Sequence, residues 1–229
     1  MSRDRIAVVT FPGSNDDGDA MLALEFLGAE PVSAWHGDTA LPEGTAGVVL
    51  PGGFSYGDYL RCGAIARFAP LMEAVGRFAA SGGPVLGICN GFQILCEAGL
   101  LPGVLRLNRQ QEFVCRDVSV TVESTSSAFA GSWQRGQELV IPIKHGEGSW
   151  YGSDDLVSSL EDRGQVALRY TEDVNGSVGR VAGVTNEAGN VLGLMPHPEH
   201  AVDPLLGPMG GIAVLGGLLE AARAPVLAS

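Results

Sequence analysis

Pro84-Val85-Leu86-Gly87-Ile88-Cys89-Asn90-Gly91-Phe92-Gln93-Ile94-Leu95 decides the fold. An apolar run enters Gly87-Ile88-Cys89-Asn90-Gly91, and a helix-like segment over residues 92–98 leaves it for Gly99. A short β-rich run, a tight turn and a helix make the geometry of a nucleophile elbow, here with cysteine in place of serine. Gly87 and Gly91 stand two residues either side of Cys89, where a side chain would collide with the neighbouring strand or helix. The sulfur sits at a helix N-terminus, where free N–H groups and the helix dipole favour thiolate over thiol. On this pattern alone, a buried structural cysteine is an equal alternative.

Upstream, residues 6–11 are nearly continuously apolar, as suits a strand covered on both faces. Pro12-Gly13-Ser14-Asn15 breaks that strand. Asp16 or Asp17 can cap a helix whose Met21, Leu24 and Leu27 recur at helical spacing, with Gly28 as the stop. Residues 31–35 and Gly47-Val48-Val49-Leu50 read as the next strands, and the alternation points to a parallel sheet. The third strand ends in Pro51-Gly52-Gly53-Phe54-Ser55-Tyr56-Gly57-Asp58, at the carboxyl edge where such sheets hold ligands. Gly52 and Gly53 can turn N–H groups toward a developing oxyanion, and the N–H of Asn90 would complete a two-donor hole. Taken by itself, the segment reads more readily as an ordinary tight loop, which Pro-Gly-Gly also makes well. Residues 59–69 and 71–80 read as two helices.

Downstream of the elbow the period changes. Val114, Val118, Val120 and Val122 alternate with Cys115, Asp117, Ser119 and Thr121, which predicts an antiparallel extension beside the parallel core. Residues 138–143 and 165–170 are further short strands. Residues 181–185 and 191–195 flank Asn186-Glu187-Ala188-Gly189-Asn190, a five-residue hairpin loop. The last strand runs into Pro196-His197-Pro198-Glu199-His200. The fold expected is therefore α/β, a mainly parallel sheet flanked by helices, with 1–229 as one domain.

The net charge of −12 argues against nucleic acid or an anionic membrane as partner, since both call for a basic face. Residues 205–219 lack charge but are too short for a membrane span and contain Pro208, so they read as a loop and a buried helix. Cys62, Cys89, Cys96 and Cys115 form no C-x-x-C pair, and all but Cys89 fall in helical or strand-like patterns. The polar opening Ser2-Arg3-Asp4-Arg5 leads directly into a strand, so reduced thiols in a cytoplasmic enzyme fit best.

A cysteine nucleophile needs a base and a group that orients the base. His197 follows a strand at the same sheet edge as Cys89, and Glu199 points to the same side of an extended segment. The carboxylate can fix the imidazole tautomer and leave the other ring nitrogen for the thiol. A polar loop without a task is the plainer alternative. A metal site on His197, Glu199 and His200 is weaker, because no H-E-x-x-H helix or cysteine pair accompanies it.

Gly87-Ile88-Cys89-Asn90-Gly91-Phe92-Gln93 followed by Pro196-His197-Pro198-Glu199 resembles the class I glutamine amidotransferases, which have a flavodoxin-like fold. Phe11-Pro12-Gly13-Ser14-Asn15, Pro51 to Asp58 and His145-Gly146-Glu147-Gly148 look more narrowly like the glutaminase subunits of phosphoribosylformylglycinamidine synthases, and the likeness runs end to end. The resemblance implies Cys89 as nucleophile, His197 as proton relay, Glu199 as its orienter, and Gly52, Gly53 and Asn90 as the oxyanion hole. It implies that Gln93, His145 and Gly146 hold the substrate glutamine. It implies that ammonia passes to a large ATP- and magnesium-dependent synthase subunit, joined by a small bridging subunit, which makes formylglycinamidine ribonucleotide for purine biosynthesis. This chain has no phosphate-cradling loop, so no cofactor is expected on it. One departure is His200, where the family commonly has Arg, and any ion pair there is in doubt. A glutaminase of another pathway, or a cysteine hydrolase or peptidase of the same fold, is the alternative. Control by a partner through rotation of the Gly52–Gly53 peptide is also expected.

Overall fold

The computed structural model describes residues 4–224. Residues 1–3 and 225–229 lie outside the described residues, and with them the Ser2-Arg3 part of the polar opening and both ends of the 1–229 span.

The first half alternates strand and helix. It runs β1 (Arg5–Thr10), α1 (Asp17–Phe26), β2 (Glu30–Trp35), β3 (Gly47–Leu50), α2 (Pro70–Ala80), β4 (Val85–Ile88) and α3 (Asn90–Glu97). The second half runs β5 (Val104–Arg106), β6 (Val114–Val122), β7 (Glu138–His145), β8 (Ser149–Tyr151), α4 (Asp154–Asp162), β9 (Val166–Tyr170), β10 (Val181–Thr185), β11 (Val191–Leu194) and α5 (Gly211–Arg223). Nine strands form one sheet in the order β2-β1-β3-β4-β11-β10-β9-β6-β7, and β5 pairs with β8 separately. The five strands from β2 to β11 are parallel, and from β10 onward every neighbour is antiparallel. Helices flank this sheet, α1 packing on β1 and β2, α3 on β3, β4 and β11, and α5 on β3.

Burial follows the sequence pattern. Every residue of β3, β4 and β11 is buried, which continuous apolar runs permit, whereas β2 at the sheet edge is half exposed. The parallel core and antiparallel extension thus match expectation, with a five-residue loop between β10 and β11. The β4–β11 register pairs Gly87 with Gly193 and Ile88 with Leu194.

One expectation fails. Residues 59–69 are not an α-helix but turns, with a single 3-10 turn at Ala66–Phe68. Leu60 and Gly63 have φ of 74° and 78°, which helices do not accommodate. Gly63 lies so close to α3 that a Cβ would stand 2.8 Å from Ile94 N. Contact with the elbow helix overrides local helical spacing, and it leaves Cys62 in a turn rather than a helix. Helix α4, absent from the sequence reading, is capped by Ser153 Oγ, which accepts from Leu156 N–H at 3.3 Å.

Candidate active site

Cys89 occupies the turn between β4 and α3 with φ 49° and ψ −103°, a conformation that costs a non-glycine residue about 1–3 kcal/mol. The surroundings hold it there. Cys89 N–H donates to Leu194 O at 2.8 Å, and Cys89 O accepts from Gln93 N–H at 3.1 Å. A Cβ on Gly91 would overlap the Leu50 carbonyl, and one on Gly87 would lie 2.8 Å from the Gly91 backbone. Both flanking glycines are therefore required by close approach, as expected. Cys89 is 5% exposed and opens onto a cleft of about 290 Å³, also lined by Gly53, Gln93, Lys144, His145 and His197.

His197 follows β11, and its N–H donates to Pro142 O of β7 at 2.8 Å. Its Nδ1 lies 2.6 Å from Glu199 Oε1, with both side chains buried. Ionised carboxylate only accepts, so Nδ1 carries the proton and Nε2 is left without a partner in the protein. Burial pushes the His197 imidazolium toward losing its proton, but Glu199 and Cys89 outweigh this and raise it to about 10.

Gly52 and Gly53 lie between this pair and the loop after β1. Gly52 O accepts from the N–H groups of Asn15 and Asp16, each at 3.3 Å. Gly53 has φ 143°, a region open to glycine. The planar trans peptide directs the Gly53 N–H away from the Asn15–Asp16 loop. The Asn90 side chain braces the adjoining turn, Oδ1 accepting from Ser55 N–H at 3.1 Å and Nδ2 donating to Asp58 Oδ1 at 3.1 Å.

Gln93 and His145 differ in availability. Gln93 Oε1 accepts from Asn90 Nδ2 at 2.8 Å, and its Nε2 donates to Glu147 O at 2.5 Å, so both ends of the amide are engaged within the protein. His145 is oriented by Asn108. Asn108 Nδ2 donates to His145 O (2.8 Å) and Glu112 O (2.9 Å), while Oδ1 accepts from Gly148 N–H at 3.0 Å. These backbone partners fix the Asn108 amide, so His145 Nδ1, 3.0 Å from Oδ1, is the donor. The lone pair is left on Nε2, which has no protein partner. His36 pairs instead with Tyr56, 2.6 Å from its hydroxyl.

Three groups that sequence reasoning missed are Asn108, Lys144 and Asp16. Asp16 ion-pairs with Lys144, lies 3.7 Å from His197 Nδ1 through Oδ2, and lies 3.5 Å from His200 Nε2 through Oδ1. An ion pair at His200 is thus within reach despite the absent arginine, with Glu199 Oε1 also 3.6 Å away. Asp16, His197, Glu199 and His200 each place one potential ligand atom within 4.8 Å of the others. Lys144 already engages Asp16, and His197 Nδ1 already engages Glu199.

Burial, joined by the charge on His197, lowers His145 to about 4. An unfolded histidine takes its proton near 6.5, so between about 6.5 and 4 the unfolded chain binds a proton that the folded chain refuses. Stability contributed by neutral His145 is therefore lost as pH falls through that window. The loss in urea-unfolding free energy from pH 7 to 4.5 is expected to be about 2 kcal/mol smaller in His145→Gln than in the native chain. Parallel pH dependences would refute this.

A buried thiol on a strained strand-to-helix turn, beside a histidine held by a carboxylate, is the kind of site that performs covalent acyl chemistry. The comparisons agree with that class. The family described as CobB/CobQ-like glutamine amidotransferase domain matches residues 3–210. A Rubrobacter xylanophilus protein named phosphoribosylformylglycinamidine synthase subunit PurQ is 53% identical over 96% of this chain and 99% of its own length. A Frankia casuarinae protein of the same name is 54% identical, over 95% of each chain. A chain in the structure of PurLQS from Thermotoga maritima superposes with a TM-score of 0.88 at 43% identity, covering 96% of this chain and all of that one. The chain belongs to the glutamine amidotransferases, in the family of the PurQ subunits of phosphoribosylformylglycinamidine synthase. Among the described residues, no helix is long and apolar enough to cross a membrane.

Proposed function

We propose that residues 1–229 act as one glutaminase domain in which Cys89 attacks the side-chain amide carbon of glutamine. The observation that carries this reading is the strained elbow holding Cys89 in the same cleft as His197, whose Nδ1 Glu199 engages. The one proton that Cys89 Sγ and His197 Nε2 share passes from Nε2 to the leaving nitrogen, and ammonia departs as the glutamyl thioester forms. Water then attacks the thioester, gives its proton back to His197, and releases glutamate and the free thiol. Glu199 keeps Nδ1 protonated, so Nε2 is always the nitrogen that exchanges protons.

The tetrahedral oxyanion is stabilised by the N–H of Gly53, in the peptide it shares with Gly52, and by the N–H of Asn90. Asn90 is the first residue of α3, where an N–H has no acceptor within the helix. His145 Nε2 and the backbone at Gly146 receive the polar end of glutamine. Gln93 acts from behind, bracing the loop through Glu147 rather than reaching the substrate.

As a PurQ-type subunit, the chain delivers ammonia to a large synthase subunit with a small bridging subunit, in the cytoplasm. The synthase supplies ATP and magnesium and converts formylglycinamide ribonucleotide to its amidine. The relatives' name and the PurLQS likeness support this over another pathway or a peptidase. Because two N–H groups hold the Gly52 carbonyl, rotation of that peptide is not free, and partner control has to act through the loop after β1 as well. Glutamine hydrolysis by the isolated chain should rise about 100-fold or more on adding synthase, bridging subunit, ATP and acceptor, the effect of one oxyanion donor. Equal rates with and without partners would exclude such control.

A further inference from the structure

Asp16 stands just before α1, where an aspartate ordinarily caps the helix, yet its side chain makes no cap hydrogen bond. It turns into the protein and is 3% exposed. A carboxylate that gives up its local partner and most of its water needs other partners. Three separate pieces of the site supply them. Its Oδ1 meets Lys144 of β7, the residue whose carbonyl lies 3.9 Å from Cys89 Sγ. Its Oδ2 lies 3.7 Å from His197 Nδ1, the nitrogen that Glu199 also holds. Its backbone N–H helps to hold Gly52 O. Gly52 is the contact point, since a Cβ there would overlap the Asp16 carboxylate and lie 2.7 Å from His197 Cε1.

We propose that Asp16 is a positioning residue for the reaction: a second carboxylate behind His197 that keeps the imidazolium protonated and seated against the oxyanion peptide, with Lys144 balancing its charge. The inference rests on the assignment of Cys89 and His197 above. Groups facing His197 are Glu199 and His200 from its own turn, Asp16 from the loop after β1, Lys144 and His145 from β7, and Cys89 from the elbow. Asp19 of α1 reaches His200 but stands one residue further out. Despite burial, His200, Lys144 and His197 hold Asp16 well below the usual carboxylate range, so it stays ionised throughout the working range.

Asp16→Asn removes the negative charge and leaves Lys144 facing the imidazole. Its alkaline limb of kcat/KM for glutamine, where the imidazolium proton is lost, should move down by about one pH unit. Its kcat should fall about tenfold with KM changed less than twofold. Lys144→Met does the reverse: uncompensated Asp16 should move the same limb up. The double variant should return the limb toward its native position. These opposite shifts separate a field at His197 from mere structural support, which would lower kcat without moving the limb. If Asp16→Asn does not fold, the upward shift in Lys144→Met decides alone. An unmoved limb, or shifts of one sign in both variants, overturns the proposal. If Cys89→Ala is inactive while the limb stays put, only the role of Asp16 falls. If Cys89→Ala remains active, both readings fall.

Discussion

Cys89→Ala should leave ammonia formation from glutamine about 10⁴-fold or more below the native rate, the scale at which removal of a covalent nucleophile acts. The reason is local. The substituted alanine keeps the strained backbone and both flanking glycines, so the cleft persists while the attacking atom is gone. The other thiols offer no substitute. Cys96 is in α3, its Sγ 3.7 Å from Pro102 O, and Cys115 is exposed on β6. Cys62 shares the cleft, but burial and the carboxylates of Asp58 and Glu147 push its thiol far up, so it stays protonated. Alanine at each of those three positions should retain activity within about tenfold, and a glutamine-like electrophile should label Cys89 alone, read by peptide mass. Native-like turnover by Cys89→Ala would end the thioester mechanism.

His197→Ala is expected to lose about as much, because proton transfer to the leaving nitrogen has no other carrier. Glu199→Gln should lose less, about 10²–10³-fold, since it disturbs tautomer and orientation but leaves the imidazole in place. The native pair also fixes where this difference shows. With His197 raised to about 10, the native enzyme should keep its alkaline activity, whereas Glu199→Gln should lose activity at a lower pH as its imidazolium deprotonates. His200→Ala should be mild, because His200 leans on His197 only ring against ring, 5.6 Å between centroids, and otherwise meets Asp16 and Glu199, while the Glu199 contact that orients His197 is kept. Stopped assays across pH 6 to 10 would check all three. Full activity in His197→Ala with loss at His200 would reverse the assignment.

Much of the fold was legible because parallel strands covered on both faces leave unbroken apolar runs, as in residues 47–50 and 85–88. The Cys89, His197 and Glu199 constellation was legible too, through glycine spacing at the elbow and the alternation of an extended His-Pro-Glu. What escaped has a common cause. Asp16 reads locally as a helix cap and residues 59–69 as a helix. In both cases the outcome was decided by a group remote in sequence: Lys144 and the backbone of α3. Asn108 lies outside any helix or strand and carries no periodic signal, yet it sets the tautomer of His145.

The ladder between β4 and β11 has a consequence for how the chemistry is gauged. Ile88 and Leu194, the last paired residues before the two reactive segments, sit one interstrand step apart, a spacing of about 4.8 Å that every β-sheet shares. The amide of Cys89 then adds one more rung, to Leu194 O. The ladder thus sets the spacing of the two strand ends, and the Cys89 turn and the bond from His197 N–H to Pro142 O carry thiol and imidazole on from there. Lengthening the turn at residues 186–190, at the opposite end of β11, leaves that gauge untouched. That far end is tied down in its own right, Asn190 O accepting from Val85 N–H at 2.9 Å and Asn190 Nδ2 donating to Ala79 O and Gly83 O. A change of length there therefore bears on the entry to β4 rather than on the reactive ends of the strands.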